Sequence, residues 1–181
     1  GASVPIATEM APRLLEDIDE LKCEPEAHRV EHGVEVLLPF LHRRNPDIRV
    51  LPIVMGSMSY QQTQAMVDAL TRLIQAEASR KDRPLLIISS DMNHYAPEPE
   101  NRRRDMMAVD AMLTGDPKNL FDTCSTHDIS MCGVIPAVTI MQVLLQDQGV
   151  KLELELVDYT NSAKVTGDAS QVVGYAGVIL R

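Results

Sequence analysis

Tryptophan is absent from this 181-residue sequence, and only two phenylalanines and four tyrosines stand against ten methionines. A core built from it is therefore aliphatic and methionine-rich. Cysteine is scarce too: Cys23, Cys124 and Cys132 are an odd set with no close pair, which argues against a disulfide framework and for a reducing, cytoplasmic setting. No apolar run is long enough to span a bilayer, and no basic-then-apolar signal opens the chain. Positive charge is in deficit, with a net charge of −9 and an isoelectric point near 5.0. The densest basic run, Arg102-Arg103-Arg104, is flanked by Glu98, Glu100 and Asp105. Nucleic acid and anionic membrane are thus poor partners. Repeats and low-complexity linkers are missing, and the chain begins Gly1-Ala2-Ser3 without methionine, as a processed, tagged or truncated product would.

What is present reads as one domain over residues 1–181, with 45% hydrophobic and 24% charged residues, a normal balance for a packed globular chain. Val4 to Ile6 reads as a short strand and Thr8 as the cap of a helix running to about Leu21. A second helix is expected from Glu31 or His32 to Arg44, delayed or kinked by Pro39. Arg49 to Met55 reads as a strand, edge or bulged because of Pro52. Ser59 and Gln62 form a capping box for a helix carrying Met66, Ala69, Leu70, Leu73 and Ile74. Leu85-Leu86-Ile87-Ile88 shows no polar alternation and predicts a central strand buried on both faces. Next come a helix with Met106, Val109 and Leu113 inward, a helix opened by Asp116-Pro117, and a buried helix from Val134 to Gln146 stopped by Gly149. Alternation over Lys151 to Val157 and the run Val172 to Leu180 give two closing strands, with Gly174 and Gly177 allowing close backbone approach. This order predicts a three-layer α/β sandwich with a mixed central sheet.

Three turns carry the polar residues of interest. Ser89-Ser90-Asp91-Met92-Asn93-His94-Tyr95 follows the most buried expected strand, where open α/β sheets place their chemistry. His94 there has Ser-Ser-Asp partners to fix its tautomer, whereas an arbitrary loop histidine merely bonds a nearby carbonyl. His32 sits between Glu31 and Glu35 at an expected helix mouth; the flanking carboxylates suit a proton donor, and an exposed acid-rich terminus reads equally well. Cys132, followed by Gly133 and a buried helix, lies where unpaired amides favour the thiolate, the form that ligates metals. A small buried residue is the ordinary reading of a free cysteine and is the one given to Cys23 and Cys124. His28, His42 and His127 read as surface residues. Two imidazoles and a thiolate are enough donors for one open metal site, although their spacing is long and irregular.

The runs Glu31-His32-Gly33-Val34-Glu35-Val36-Leu37-Leu38-Pro39-Phe40, Ser89 to Tyr95, Cys132-Gly133 and Tyr159-Thr160-Asn161-Ser162 occur in that order. Val165-Thr166-Gly167-Asp168 and Val173-Gly174-Tyr175-Ala176 follow them. From about Val4 onward the chain resembles the Memo family, called protein B of the AmmeMemoRadiSam system in bacteria. That family is similar to class III extradiol dioxygenases, which open catechol rings with non-haem iron(II). The resemblance implies an extradiol-dioxygenase-like fold and puts Cys132 at the carboxylate-type ligand position. It gives His32 and His94 the part of pocket histidines that assist proton transfer and oxygen handling, outside the ligand pair.

The family's ligand histidines lie in Pro-His-Ala-Gly-type and Ser-His-type turns, and neither turn occurs in these residues. The resemblance thus implies the C-terminal two thirds of the domain, lacking its N-terminal strands and two of three ligands. Iron(II) or copper is the implied cofactor, needing ligands from elsewhere, and thiolate shifts preference toward softer metals. Two functions are expected to compete. One is a redox or dioxygenase-like pocket acting on a small molecule, alongside AmmeMemoRadiSam system partners. The other is a non-catalytic protein binding metal or a peptide in the same cleft.

Overall fold

A computed structural model describes residues 3–19, 21–79, 83–149 and 151–180. Eight α-helices and three strands are assigned among them: α1 (Ala11–Asp17), α2 (Pro25–Arg29), α3 (Leu38–Arg44), α4 (Gln64–Ser79), β1 (His94–Ala96), α5 (Glu98–Leu113), α6 (Pro117–Thr126), α7 (Val134–Gln148), β2 (Leu154–Asn161), α8 (Ala163–Thr166) and β3 (Val172–Leu180).

Helix α7 is the hub because its sequence is apolar nearly all round. Val138, Met141 and Val143 are fully buried. On one side α7 joins α5, α6 and the sheet in a cluster around Met92, Ala108, Val109, Leu120 and Leu152. On the other, Val143 joins α1 and α4 in a second cluster with Leu14, Val67, Leu70 and Ile74. Several boundaries follow directly from local chemistry. Ser59 N–H donates to Gln62 Oε1 at 2.8 Å and Gln62 N–H returns to Ser59 Oγ at 3.3 Å, the reciprocal box expected, opening a 3-10 turn that leads into α4. Asp116 accepts from the amides of Lys118 and Asn119 at the start of α6, and Gly149 ends α7 with φ at 65°.

Helices and strands together make the described residues α/β, but their three-stranded sheet is antiparallel, in the order β1-β3-β2, and not mixed as expected. β2 and β3 pair from Leu154↔Leu180 to Asn161↔Gly174, with an irregularity between Leu156 and Asp158. Among the described residues the one parallel pairing is the isolated bridge Ile6↔Val50, all that forms there of the expected strands at Val4 to Ile6 and Arg49 to Met55. Leu85 to Ile88 also corrects the expectation. This stretch takes no regular secondary structure and joins no ladder among the described residues, and its exposure alternates along the chain. Leu86 packs on the α1/α4 cluster and Ile88 on the α5/α7 cluster. Leu85 and Ile87 face outward, 80% and 45% exposed. A continuous apolar run says that both faces can be buried; neighbours decide whether both are.

The N-terminal helices are shorter than their periodicity implied. Met10, not Thr8, precedes α1, without a side-chain cap. Pro39 falls in the first turn of α3, where its missing N–H costs nothing, so the helix starts late and does not kink. Pro25 likewise opens the short helix α2. No residue of α2 or α3 is fully buried. No helix among the described residues is long and apolar enough to cross a membrane.

Candidate functional site

Ser89, Ser90 and Asp91 follow the Leu85 to Ile88 stretch and precede β1, so an acid and an imidazole emerge where the sheet begins. The Cys132 turn is docked against them. Asp91 N–H donates to Cys132 Sγ at 3.2 Å, and Ser90 Oγ lies 3.6 Å from the same sulfur. Gly133 N–H donates to Ser90 Oγ at 2.8 Å. A side chain at Gly133 would block this: an ideal Cβ there lies 2.5 Å from Ser90 Cβ and 3.0 Å from the Ser89 carbonyl oxygen.

His94 is the first residue of β1, opposite Val173. Its backbone N–H donates to Ser130 Oγ at 2.8 Å, tying it to the residue two before Cys132. Its Nε2 stands 3.6 Å from Asp91 Oδ2, beyond hydrogen-bond reach. That nitrogen is shielded from solvent and has no hydrogen-bond partner among the described residues. Asp91 is therefore shared, with its amide on the thiol and its carboxylate near the imidazole. Tyr95 is the extra residue of a bulge between His94 and Ala96, with φ at 58°, a left-handed conformation that a bulky side chain seldom adopts. The bulge leaves Tyr95 exposed with its ring centroid 5.7 Å from that of His94.

His32 is exposed and lies ahead of a 3-10 turn, Glu35–Leu37, not at the mouth of an α-helix. Glu31 turns away from it: Oε1 accepts the Gly33 N–H at 2.6 Å. The neighbouring Gly33 meets the same strand end, since an ideal Cβ there lies 3.5 Å from Ser89 Oγ. All three turns thus abut Ser89 to Asp91, yet among the described residues only the His94 and Cys132 turns are joined by hydrogen bonds. Cys124 is buried as expected, and burial pushes its thiol up to about 11; Cys23, expected to be buried, is exposed. Beneath the strand end a pocket of about 80 Å³ is lined mainly by Ile88, Met92, Met112, Met131 and Met141. It is well below the size of a usual small-molecule site.

Residues that nothing in the sequence marks as reactive hold these turns. Asn93, Asn101 and Asp105 are completely buried and polar. Asp105 Oδ1 accepts the Asn93 N–H at 2.6 Å, while Oδ2 accepts from Tyr159 Oη at 2.6 Å and Asn101 Nδ2 at 2.9 Å. Burial raises the pKa of Asp105 despite these donors, and burial followed by the bond to Asp105 raises that of Tyr159. A signal was available: Asn101 and Asp105 stand four apart on the same face of α5 as the buried Ala108 and Met112.

No group of three His, Cys, Asp or Glu side chains among the described residues is arranged to hold a metal ion. His32, His94 and Cys132 thus do not form a complete ligand set, and iron or copper does not fit these residues as a closed site. What they define is a corner at the start of β1 that holds an acid, an imidazole and a thiol.

Residues 3–179 match the family described as Memo-like protein, and the chain belongs to that family. It is 35% identical over 173 residues to a MEMO1 family protein of Archaeoglobus fulgidus, covering 96% of this chain and 62% of the relative. The MEMO1 family protein of Aquifex aeolicus is 38% identical over 157 residues, 84% of this chain and 55% of its own. That of Desulfurococcus amylolyticus is 32% identical over 174 residues, 96% and 59% respectively. The chain spans about three fifths of the length of the curated relatives it matches.

Proposed function

We propose that the corner formed by Asp91, His94 and Cys132 is the reactive part of a redox pocket acting on a small molecule. Asp91 carries the reading, because its amide holds the Cys132 sulfur at 3.2 Å while its carboxylate stands 3.6 Å from His94 Nε2. The nitrogen stands beside that carboxylate and has no hydrogen-bond partner among the described residues. His94 then serves as general acid or base, and His32, exposed on the neighbouring turn, as an auxiliary proton carrier. Cys132 is the donor these residues offer toward iron or copper, with further ligands coming from outside them. As a thiolate it favours copper over the harder iron(II).

Anaerobic titration with iron(II) and with copper(I), read by protection of Cys132 from iodoacetamide and compared with Cys132→Ser, tests this assignment. The 181-residue chain is expected to bind weakly, with protection of Cys132 only at excess metal. Stoichiometric, Cys132-dependent binding would show a ligand set already complete. Absence of protection at any metal concentration would remove Cys132 as a ligand. Oxygen uptake on a catechol, measured on a protein of the relatives' full length, separates turnover from binding.

A further inference from the structure

Two buried amides connect Asp105 to both turns of the site, and the direction of each bond is set by the one before it. A carboxylate only accepts, so Asn101 must present its Nδ2 to Asp105, at 2.9 Å. Its Oδ1 then faces Asn93 and accepts from Asn93 Nδ2 at 2.8 Å. That leaves Asn93 Oδ1 to accept from Ser130 N–H at 3.1 Å and Ser130 Oγ at 3.3 Å. With its proton committed to Asn93, Ser130 Oγ has lone pairs left for the His94 N–H, at 2.8 Å. Asp105 also takes the Asn93 N–H directly and is braced by Tyr159, over whose ring Arg102 lies 5.0 Å from the centroid.

We propose that Asp105 is the positioning residue of this site: an acceptor-only group whose charge fixes the direction of the Asn101-Asn93-Ser130 relay and thereby docks the His94 turn onto the Cys132 turn. The assignment rests on the reading above that these two turns form the site, but its test needs neither metal nor substrate.

Asp105→Asn keeps the shape and removes the fixed direction. At pH 7 the amides of Asn93, His94 and Ser130 are expected to exchange at least tenfold faster, while those of Val138 and Met141 in α7 keep their protection. Cys132 is exposed already, so what the variant changes at its sulfur is the Asp91 amide contact and not its access to reagent. Its iodoacetamide rate relative to exposed Cys23 should fall at least threefold. Leu120→Ala, a core change with no bond to either turn, supplies the purely structural control: exchange rises evenly and the thiol ratio stays put. Should Asp105→Asn fail to fold, Ser130→Ala cuts the relay at its last link, lowering the same ratio while the Asn93 amide stays protected by Asp105. An unchanged or raised thiol ratio, or exchange that rises evenly along the chain in Asp105→Asn, overturns the proposal. Failure of metal binding would overturn the redox reading and leave this one standing.

Discussion

Replacing Gly174 by alanine puts a methyl group where Asp105 already is. An ideal Cβ at this position lies 1.9 Å from Asp105 Oδ2, 2.7 Å from its Cγ and 3.1 Å from Oδ1. Neither partner can yield cheaply. Gly174 is held in β3 opposite Asn161, its N–H donates to the Asn93 carbonyl at 3.1 Å, and its own carbonyl accepts from Met92 N–H at 2.9 Å. Asp105 is fully buried and bonded three ways, so moving it breaks at least one bond to a carboxylate. Overpacking costs about 1–3 kcal/mol and a lost hydrogen bond to a charged group about 1.5–3, so Gly174→Ala should destabilise by about 3–5 kcal/mol. For a domain of this size that lowers the melting temperature by roughly 10 °C. Urea unfolding followed by circular dichroism measures it, with Gly56→Ala as control. An ideal Cβ at Gly56 meets no heavy atom within 4 Å, so that variant should lie within about 0.5 kcal/mol of wild type. A Gly174→Ala protein within about 1 kcal/mol of wild type would show that the Asp105 network is not rigid and would refute the reasoning.

Two further outcomes follow from the titrating groups. Cys124, held at about 11 by burial against an ordinary 9.0, carries about 100-fold less thiolate at pH 8 than an ordinary thiol, so native-state alkylation mapped by mass spectrometry should leave it unlabelled after Cys132 and Cys23 have reacted. Because burial raises the Asp105 pKa above its ordinary 3.8, the native state binds this proton more tightly than the unfolded chain. Its contribution to stability is then full below about pH 3.8 and is lost as pH rises through the raised value. The margin of wild type over Asp105→Asn, taken from urea midpoints, should narrow between those limits; a widening margin would mean that the three donors outweigh burial.

Local chemistry was the legible part of the fold. The Ser59/Gln62 box, Asp116-Pro117 and Gly149 each announce an orphaned helix end and what satisfies it, information carried within four residues. The strand at Leu85 to Ile88 was misread because hydrophobicity reports what a side chain tolerates, not which partners reach it. Leu86 and Ile88 find helices, whereas Leu85 and Ile87 find none among the described residues. The mixed sheet failed for the same reason: two segments with strand composition find no ladder neighbours among the described residues, leaving the antiparallel β1-β3-β2 unit.

Within the site, contiguity set the limit. Asp91 and His94 lie three residues apart, so their meeting could be read from the turn itself; the contact of Asp91 with Cys132 spans 41 positions and that of Asp105 with Tyr159 spans 54. What joins these distant pieces is the lack of a side chain. Gly133 lets the Cys132 turn settle on Ser90, Gly174 leaves room for the Asp105 carboxylate, and Gly33 brings the His32 turn against Ser89. All three glycines stand in the motifs that carry the family resemblance. Histidines and cysteines draw the eye because they can react, but a strand end holds them in one corner only if backbone can close on backbone there. In this chain the spaces beside Gly133 and Gly174 determine where Cys132 and His94 sit as firmly as any bond those two residues make.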